Sequence, residues 1–110
     1  MGKWTEKNGY DTLLLASGDS LNVVDTEVHL VRFREGKFRH YHRQTTELFY
    51  FTAGTGIVVL DDRELRLSPG VSVLIKPYVR HAFINHSDMQ PMEAVMIKTN
   101  VHPNDTYPES

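Results

Sequence analysis

Short runs of alternating apolar and polar residues, cut by turn residues at intervals of about eight to twelve positions, constrain this chain more than any other feature. A strand sends successive side chains to opposite faces, whereas a helix needs apolar residues at i, i+3, i+4 and i+7. No window keeps the helical spacing for long. The alternation predicts strands over Asp11–Leu15, Leu21–Asp25, Glu27–Phe33, Phe38–His42, Glu47–Thr52, Gly56–Leu60, Arg63–Leu67, Val71–Ile75, His81–Asn85 and Met92–Thr99. Turn chemistry separates them. In Ser68-Pro69-Gly70 the proline presets the first central φ of a type II turn and the glycine accepts the positive second one. Ala53-Gly54-Thr55-Gly56 is a glycine corner, and Asp61-Asp62 is a tight hairpin rather than an acid/base couple. So many short strands have edges to hide, and the expected fold is all-β, a closed or double-sheet barrel.

Composition bounds the chemistry. At 110 residues the chain is expected to form one domain, residues 1–110, with its core over about 27–99. The ends, about 1–8 and 102–110, are polar or interrupted by proline and are expected to be loosely held. There is no cysteine, so disulfides, thiolate ligands and a cysteine nucleophile are excluded and metal chemistry falls to histidine and carboxylate. Twelve basic and fourteen acidic residues leave a net charge of −2, which argues against a nucleic acid partner. The first residues carry no apolar leader, and the apolar run Leu13–Ala16 is too short to span a bilayer. The expectation is a cytoplasmic protein with no membrane partner.

Histidines then mark where chemistry sits. His40 and His42 are two apart, so on a strand both imidazoles point to one side and can converge on one ion. Glu47 opens the next alternating run, where its carboxylate can face the same interior. Two imidazoles and a carboxylate suit a first-row divalent metal. The first run reads His-x-His-x4-Glu-x6-Gly, from His40 to Gly54, and a later run places His81 four residues before Asn85. Together these resemble the two sequence motifs of the cupin superfamily of small jelly-roll β-barrels, across residues 27–99. Three positions depart from the pattern: Arg34 stands where a glycine is usual, and Lys76 and Tyr78 replace a proline and a glycine. None is a ligand position. The resemblance implies the full ligand set His40, His42, Glu47 and His81, holding one divalent transition metal (Fe, Mn, Ni, Co or Zn).

Alternation also outlines a pocket. If Glu47 points inward, so do Phe49 and Phe51; if His81 does, so do Phe83 and Asn85. These four are the candidate substrate-pocket residues. The plainer reading makes the phenylalanines core and Asn85 a turn residue. Tyr41, between the paired histidines, should face away, and His29, beside Arg32 and Arg34, is expected to be exposed. The leading functional expectation is a metal-dependent enzyme acting on a small oxygen-rich molecule by dioxygenation, isomerisation or decarboxylation, with Glu47 as a candidate proton shuttle. The alternatives are a non-catalytic small-molecule binding or sensing module and a metal-free barrel similar to sugar epimerases. The resemblance, together with exposed strand edges, further implies a homodimer.

Overall fold

The computed structural model describes residues 2–36, 38–87 and 89–109. In chain order the elements are β1 (Thr5–Glu6), β2 (Tyr10–Ser17), α1 (Gly18–Leu21), β3 (Glu27–Phe33), β4 (His40–Tyr41), β5 (Thr46–Ala53), β6 (Gly56–Leu60), β7 (Arg63–Leu67), β8 (Ser72–Ile75), β9 (His81–Asn85), β10 (Met92–Thr99) and β11 (Tyr107–Pro108). They form a six-stranded sheet ordered β1-β2-β3-β10-β5-β8 and a five-stranded sheet ordered β11-β4-β9-β6-β7. Every pairing is antiparallel. The fold is a two-sheet jelly-roll β-barrel, with its apolar side chains pressed between the sheets.

Two-residue periodicity builds it. On β5, Glu47, Phe49 and Phe51 are buried while Leu48 and Tyr50 are exposed. Phe33, Phe49, Phe51 and Phe83 meet inside, with ring centroids 4.5 to 6.2 Å apart. Truncating one such ring to alanine costs about 3–5 kcal/mol, so this cluster anchors one sheet on the other. The chain crosses between sheets at Gly54, whose φ of +83° suits glycine. It returns at Ser68-Pro69-Gly70, where Val71 N–H donates to the Ser68 carbonyl at 3.1 Å and Gly70 has φ +95°.

The structure departs from the alternation in places. Leu21–Asp25 is not a strand. The backbone N–H of Ser17 donates to Ser20 Oγ at 3.1 Å, α1 forms, and Asn22 and Asp25 then take left-handed φ values of 58° and 55°. Local polar capping wins there over the apolar Leu21-Asn-Val-Val run. The predicted strand Phe38–His42 shortens to the two residues of β4. At the ends, β1 pairs with β2 and Arg32 lies 4.0 Å over the Trp4 ring. Near the other terminus β11 pairs with β4. The Trp4–Arg32 and β4–β11 contacts are long-range, so a local pattern does not announce them. Among the described residues no helix is long and apolar enough to cross a membrane.

Candidate metal centre

Strand pairing brings the two motifs together. His40 on β4 lies directly opposite His81 on β9, and their rings are 4.3 Å apart. His42 follows just past β4, its ring 5.1 Å from His40 and 5.2 Å from His81. One ring nitrogen from each of the three lies within 4.8 Å of the other two, and all three residues are buried. Tyr41 turns to the other side, stacked at 5.4 Å on Tyr107.

Hydrogen bonds set the tautomers. Nδ1 of His40 donates to the Phe38 carbonyl at 3.1 Å, Nδ1 of His42 to the Asp105 carbonyl at 2.8 Å, and Nδ1 of His81 to the Val79 carbonyl at 2.9 Å. A carbonyl only accepts, so the proton sits on Nδ1 in every ring; Nε2 of His40 and of His81 is left for a ligand, while His42 Nε2 faces the Glu47 carboxylate and would give up the proton it shares there on binding an ion. This is how metal-binding imidazoles are oriented by their outer partners. His81 Nε2 is buried and has no hydrogen-bond partner among the described residues.

Glu47 stands beside this triad. Its Oε1 is 3.1 Å from His42 Nε2 and 3.6 Å from His81 Nε2. Donors at right angles on one ion, each about 2.1 Å from it, would be about 3 Å apart, so these separations suit neighbouring positions around a common centre. The three imidazoles, one of them with an otherwise orphaned nitrogen, fit a borderline divalent ion, and the hard Glu47 oxygen lies beside two of them.

Electrostatics follow from burial. His40 is pushed down to about 3, first by burial and then by the charges of His81 and His42. Burial likewise lowers His81. Burial also pulls on His42, but the hydrogen bond and charge of Glu47 outweigh it and leave His42 raised. For Glu47, burial pushes up, yet the hydrogen bond and charge of His42, with His81 and Lys98, hold it at about 2. Two imidazoles are thus kept neutral and the carboxylate ionised, the protonation states that ligation requires.

The triad opens onto a cavity between the sheets, whose walls include Tyr10, Phe33, Phe38, Phe49, Phe83 and Met96. The cavity volume is about 80 Å³, which is room for several waters or one small molecule. Phe49 and Phe83 therefore both line the cavity and belong to the core. Phe51 and Asn85 do not line it. Phe51 sits in the core at 1% exposure. The Asn85 amide donates to the carbonyls of Phe33, Arg34 and Gln90 at 3.1, 2.9 and 2.7 Å, and its oxygen accepts from Ser87 N–H at 3.0 Å. Asn85 fastens the end of β9 to the end of β3, and its polar atoms are spent there.

Other residues of the site escaped the sequence. His29 was expected to be exposed; instead it is half-buried and lines the cavity, as do Lys7 and Lys98. Asp105 was hidden in the polar tail. Its carboxylate accepts the N–H groups of Arg43, Gln44 and Thr45 at 2.9, 3.0 and 2.9 Å and the Thr45 hydroxyl at 2.9 Å. It thereby fixes the turn after His42 while its carbonyl holds the His42 ring. An isolated aspartate in a proline-rich tail carries no signal of such a role. The backbone of Tyr78, where the motif usually has glycine, takes φ 72°, and its N–H donates to the His42 carbonyl at 2.6 Å.

Two antiparallel sheets closed around an inward-facing histidine triad define a small jelly-roll barrel with a candidate metal pocket. The chain belongs to the cupin-domain family, whose model matches residues 29–98. Protein SchB of Streptomyces halstedii is 41% identical over 63 residues, 57% of this chain and 46% of that protein, so the match spans just under half of its relative. Among solved structures, Streptomyces PAC13 with uridine superposes with a TM-score of 0.80 at 15% identity, over 99% of this chain and 85% of the other. PAC13 is a nucleoside dehydratase. KdgF from Halomonas sp. gives a TM-score of 0.75 at 18% identity, over 93% and 89% of the two chains. A cupin-superfamily sugar phosphate isomerase from Silicibacter pomeroyi gives 0.67 at 29% identity, over 84% and 60%. The fold is shared with these proteins; their activities are their own.

Proposed function

We propose that this protein is a metal-dependent cupin enzyme that holds one divalent transition ion through His40, His42, Glu47 and His81 and acts on a small molecule with adjacent oxygen atoms. The reading rests on one observation above all: three buried imidazoles each give Nδ1–H to a backbone carbonyl, leaving convergent Nε2 atoms of which that of His81 has no partner among the described residues. A bound ion would supply Lewis-acid polarisation of a carbonyl or enolate oxygen. The chain supplies the rest. Phe33, Phe49, Phe83 and Met96 exclude water from the cavity wall. Glu47, ionised and in contact with His42, is placed to accept and return a proton at its carboxylate. Reactions of this class are dioxygenation, isomerisation and decarboxylation of a 2-oxo acid, enediol or hydroxy-carbonyl compound.

The test is metal analysis and calorimetric titration of full-length protein purified without an affinity metal column. One equivalent of divalent ion per chain is expected, with His81→Ala weakening zinc affinity by about 100-fold or more. Metal-free wild type that shows no binding would sink the reading. So would His81→Ala binding zinc as tightly as wild type.

A further inference from the structure

Among the described residues two buried side-chain nitrogens lack a hydrogen-bond partner, His81 Nε2 and His29 Nδ1, and both histidines line the same cavity. The proposed ion accounts for the first. The second is left over. His29 lies on β3, in the sheet that faces the β4–β9 pair carrying His40 and His81. It is paired with Met96 on β10, and Met96 with Phe49 on β5, so all three share the inner face. Its Nε2 lies 2.8 Å from Glu27 Oε1. A carboxylate only accepts, so Nε2 carries a proton and Nδ1 is the atom free to take part in a further bond. A buried polar atom without a partner, in the wall of a cavity, marks a place where a bound molecule completes the hydrogen bonding.

Charge selects the molecule. Lys7 and Lys98 line the cavity, and among the described residues neither has a carboxylate oxygen within 4.0 Å. Lys98 is in register with Glu27 on one side and Glu47 on the other, diagonal to His29. Glu47 is the acidic residue of the lining. Two ammonium groups and a divalent ion against one carboxylate leave the cavity positive, a field that gathers anions.

We propose that the cavity takes a small oxygen-rich anion, which His29, oriented by Glu27, hydrogen-bonds from the wall facing the imidazole triad while Lys98 meets its charge. This rests on the reading of His40, His42, Glu47 and His81 as a metal centre.

The experiment uses full-length wild type, His29→Leu, His29→Asn and Lys98→Met, each titrated with zinc and then, zinc-loaded, with glycolate or its neutral counterpart glycolamide. Zinc affinity is expected to be the same in wild type and the two His29 variants, and glycolate titrations are compared with all four proteins saturated with zinc. Glycolate affinity falls about tenfold in His29→Leu and in Lys98→Met, and is partly restored in His29→Asn, whose amide sits near the lost Nδ1. Glycolamide affinity changes by less than about threefold in Lys98→Met. In ¹⁵N spectra of the zinc-loaded wild type, the His29 Nδ1 resonance moves on adding glycolate. Unchanged glycolate affinity in His29→Leu and Lys98→Met with zinc bound overturns the proposal. So does an unmoved Nδ1, or a zinc-loaded wild type that ignores millimolar glycolate. Failure of wild type to bind zinc is a separate outcome, and overturns the metal reading and this one together.

Discussion

At the scale of single residues, the site depends on atoms that hold the imidazoles as much as on the imidazoles. His40, His42 and Glu47 could be nominated from spacing because a strand puts alternate side chains on one face. What makes the nitrogens converge is three backbone carbonyls, and one of these belongs to Asp105, more than sixty residues along the chain from His42. Asp105 is also where pH should act. Burial raises its carboxyl, but the N–H groups of Arg43, Thr45 and Gln44 and the Thr45 hydroxyl outweigh that and hold it at about 2, below its ordinary 3.8. A group lowered on folding contributes stability above its unfolded value and loses it as pH falls through the folded one. Asp105→Asn should therefore cost about 2 kcal/mol at neutral pH in urea unfolding, a cost that shrinks between about pH 4 and pH 2. A cost independent of pH would show that the carboxylate's charge plays no part. The same substitution should weaken zinc binding about tenfold, as loss of an outer partner does.

At the scale of elements, β4 is the informative piece. Two residues cannot make a strand alone; β9 pairs with it on one side and β11 on the other. Its predecessor segment must cross the barrel end, and Gly36 makes that crossing with φ +74° and an isolated bridge to Ile84. A Cβ there would stand 1.8 Å from the Phe83 carbonyl oxygen, backbone that cannot move aside. Gly36→Ala should therefore destabilise the fold by about 3 kcal/mol or more, read as a lowered melting temperature, and loosen the metal site that β4 and β9 share. A melting temperature within a degree or two of wild type would contradict this account of the crossing. Alternation and turn residues found β3 and β5 to β10 nearly to the residue; on β5, β6 and β8 the reason is one wet or half-wet face and one dry face, while β7 and β9 were found from the turns that bound them. Alternation failed at Leu21–Asp25, where serine capping and left-handed turns have no two-residue period.

At the scale of the whole molecule, several large apolar side chains stand exposed on the six-stranded sheet. Leu48 and Tyr50 on β5, Leu74 on β8 and Ile97 on β10 are all exposed, with Leu48 in register with both Leu74 and Ile97. The homodimer expected from the sequence is tested at this face, since exposed apolar residues of this kind are where association would begin. Light scattering of wild type should give a dimer mass, and Leu48→Arg a monomer; a monomeric wild type refutes the pairing. Within the apolar run Leu13–Ala16, Leu13 enters the core while Leu14 and Leu15 stay exposed. The chain's own order of residues was enough for the all-β class, for the turns at Asp61-Asp62 and Ser68-Pro69-Gly70, and for nominating the three histidines that the fold brings together. Periodicity states which side of a strand a residue faces. It does not state which strand lies opposite, nor at what height in the barrel the residue stands. The tertiary pairing settled those matters: His40 opposite His81, Asp105 beneath His42, His29 in the cavity wall, Asn85 spent on backbone and Phe51 too deep to line the cavity.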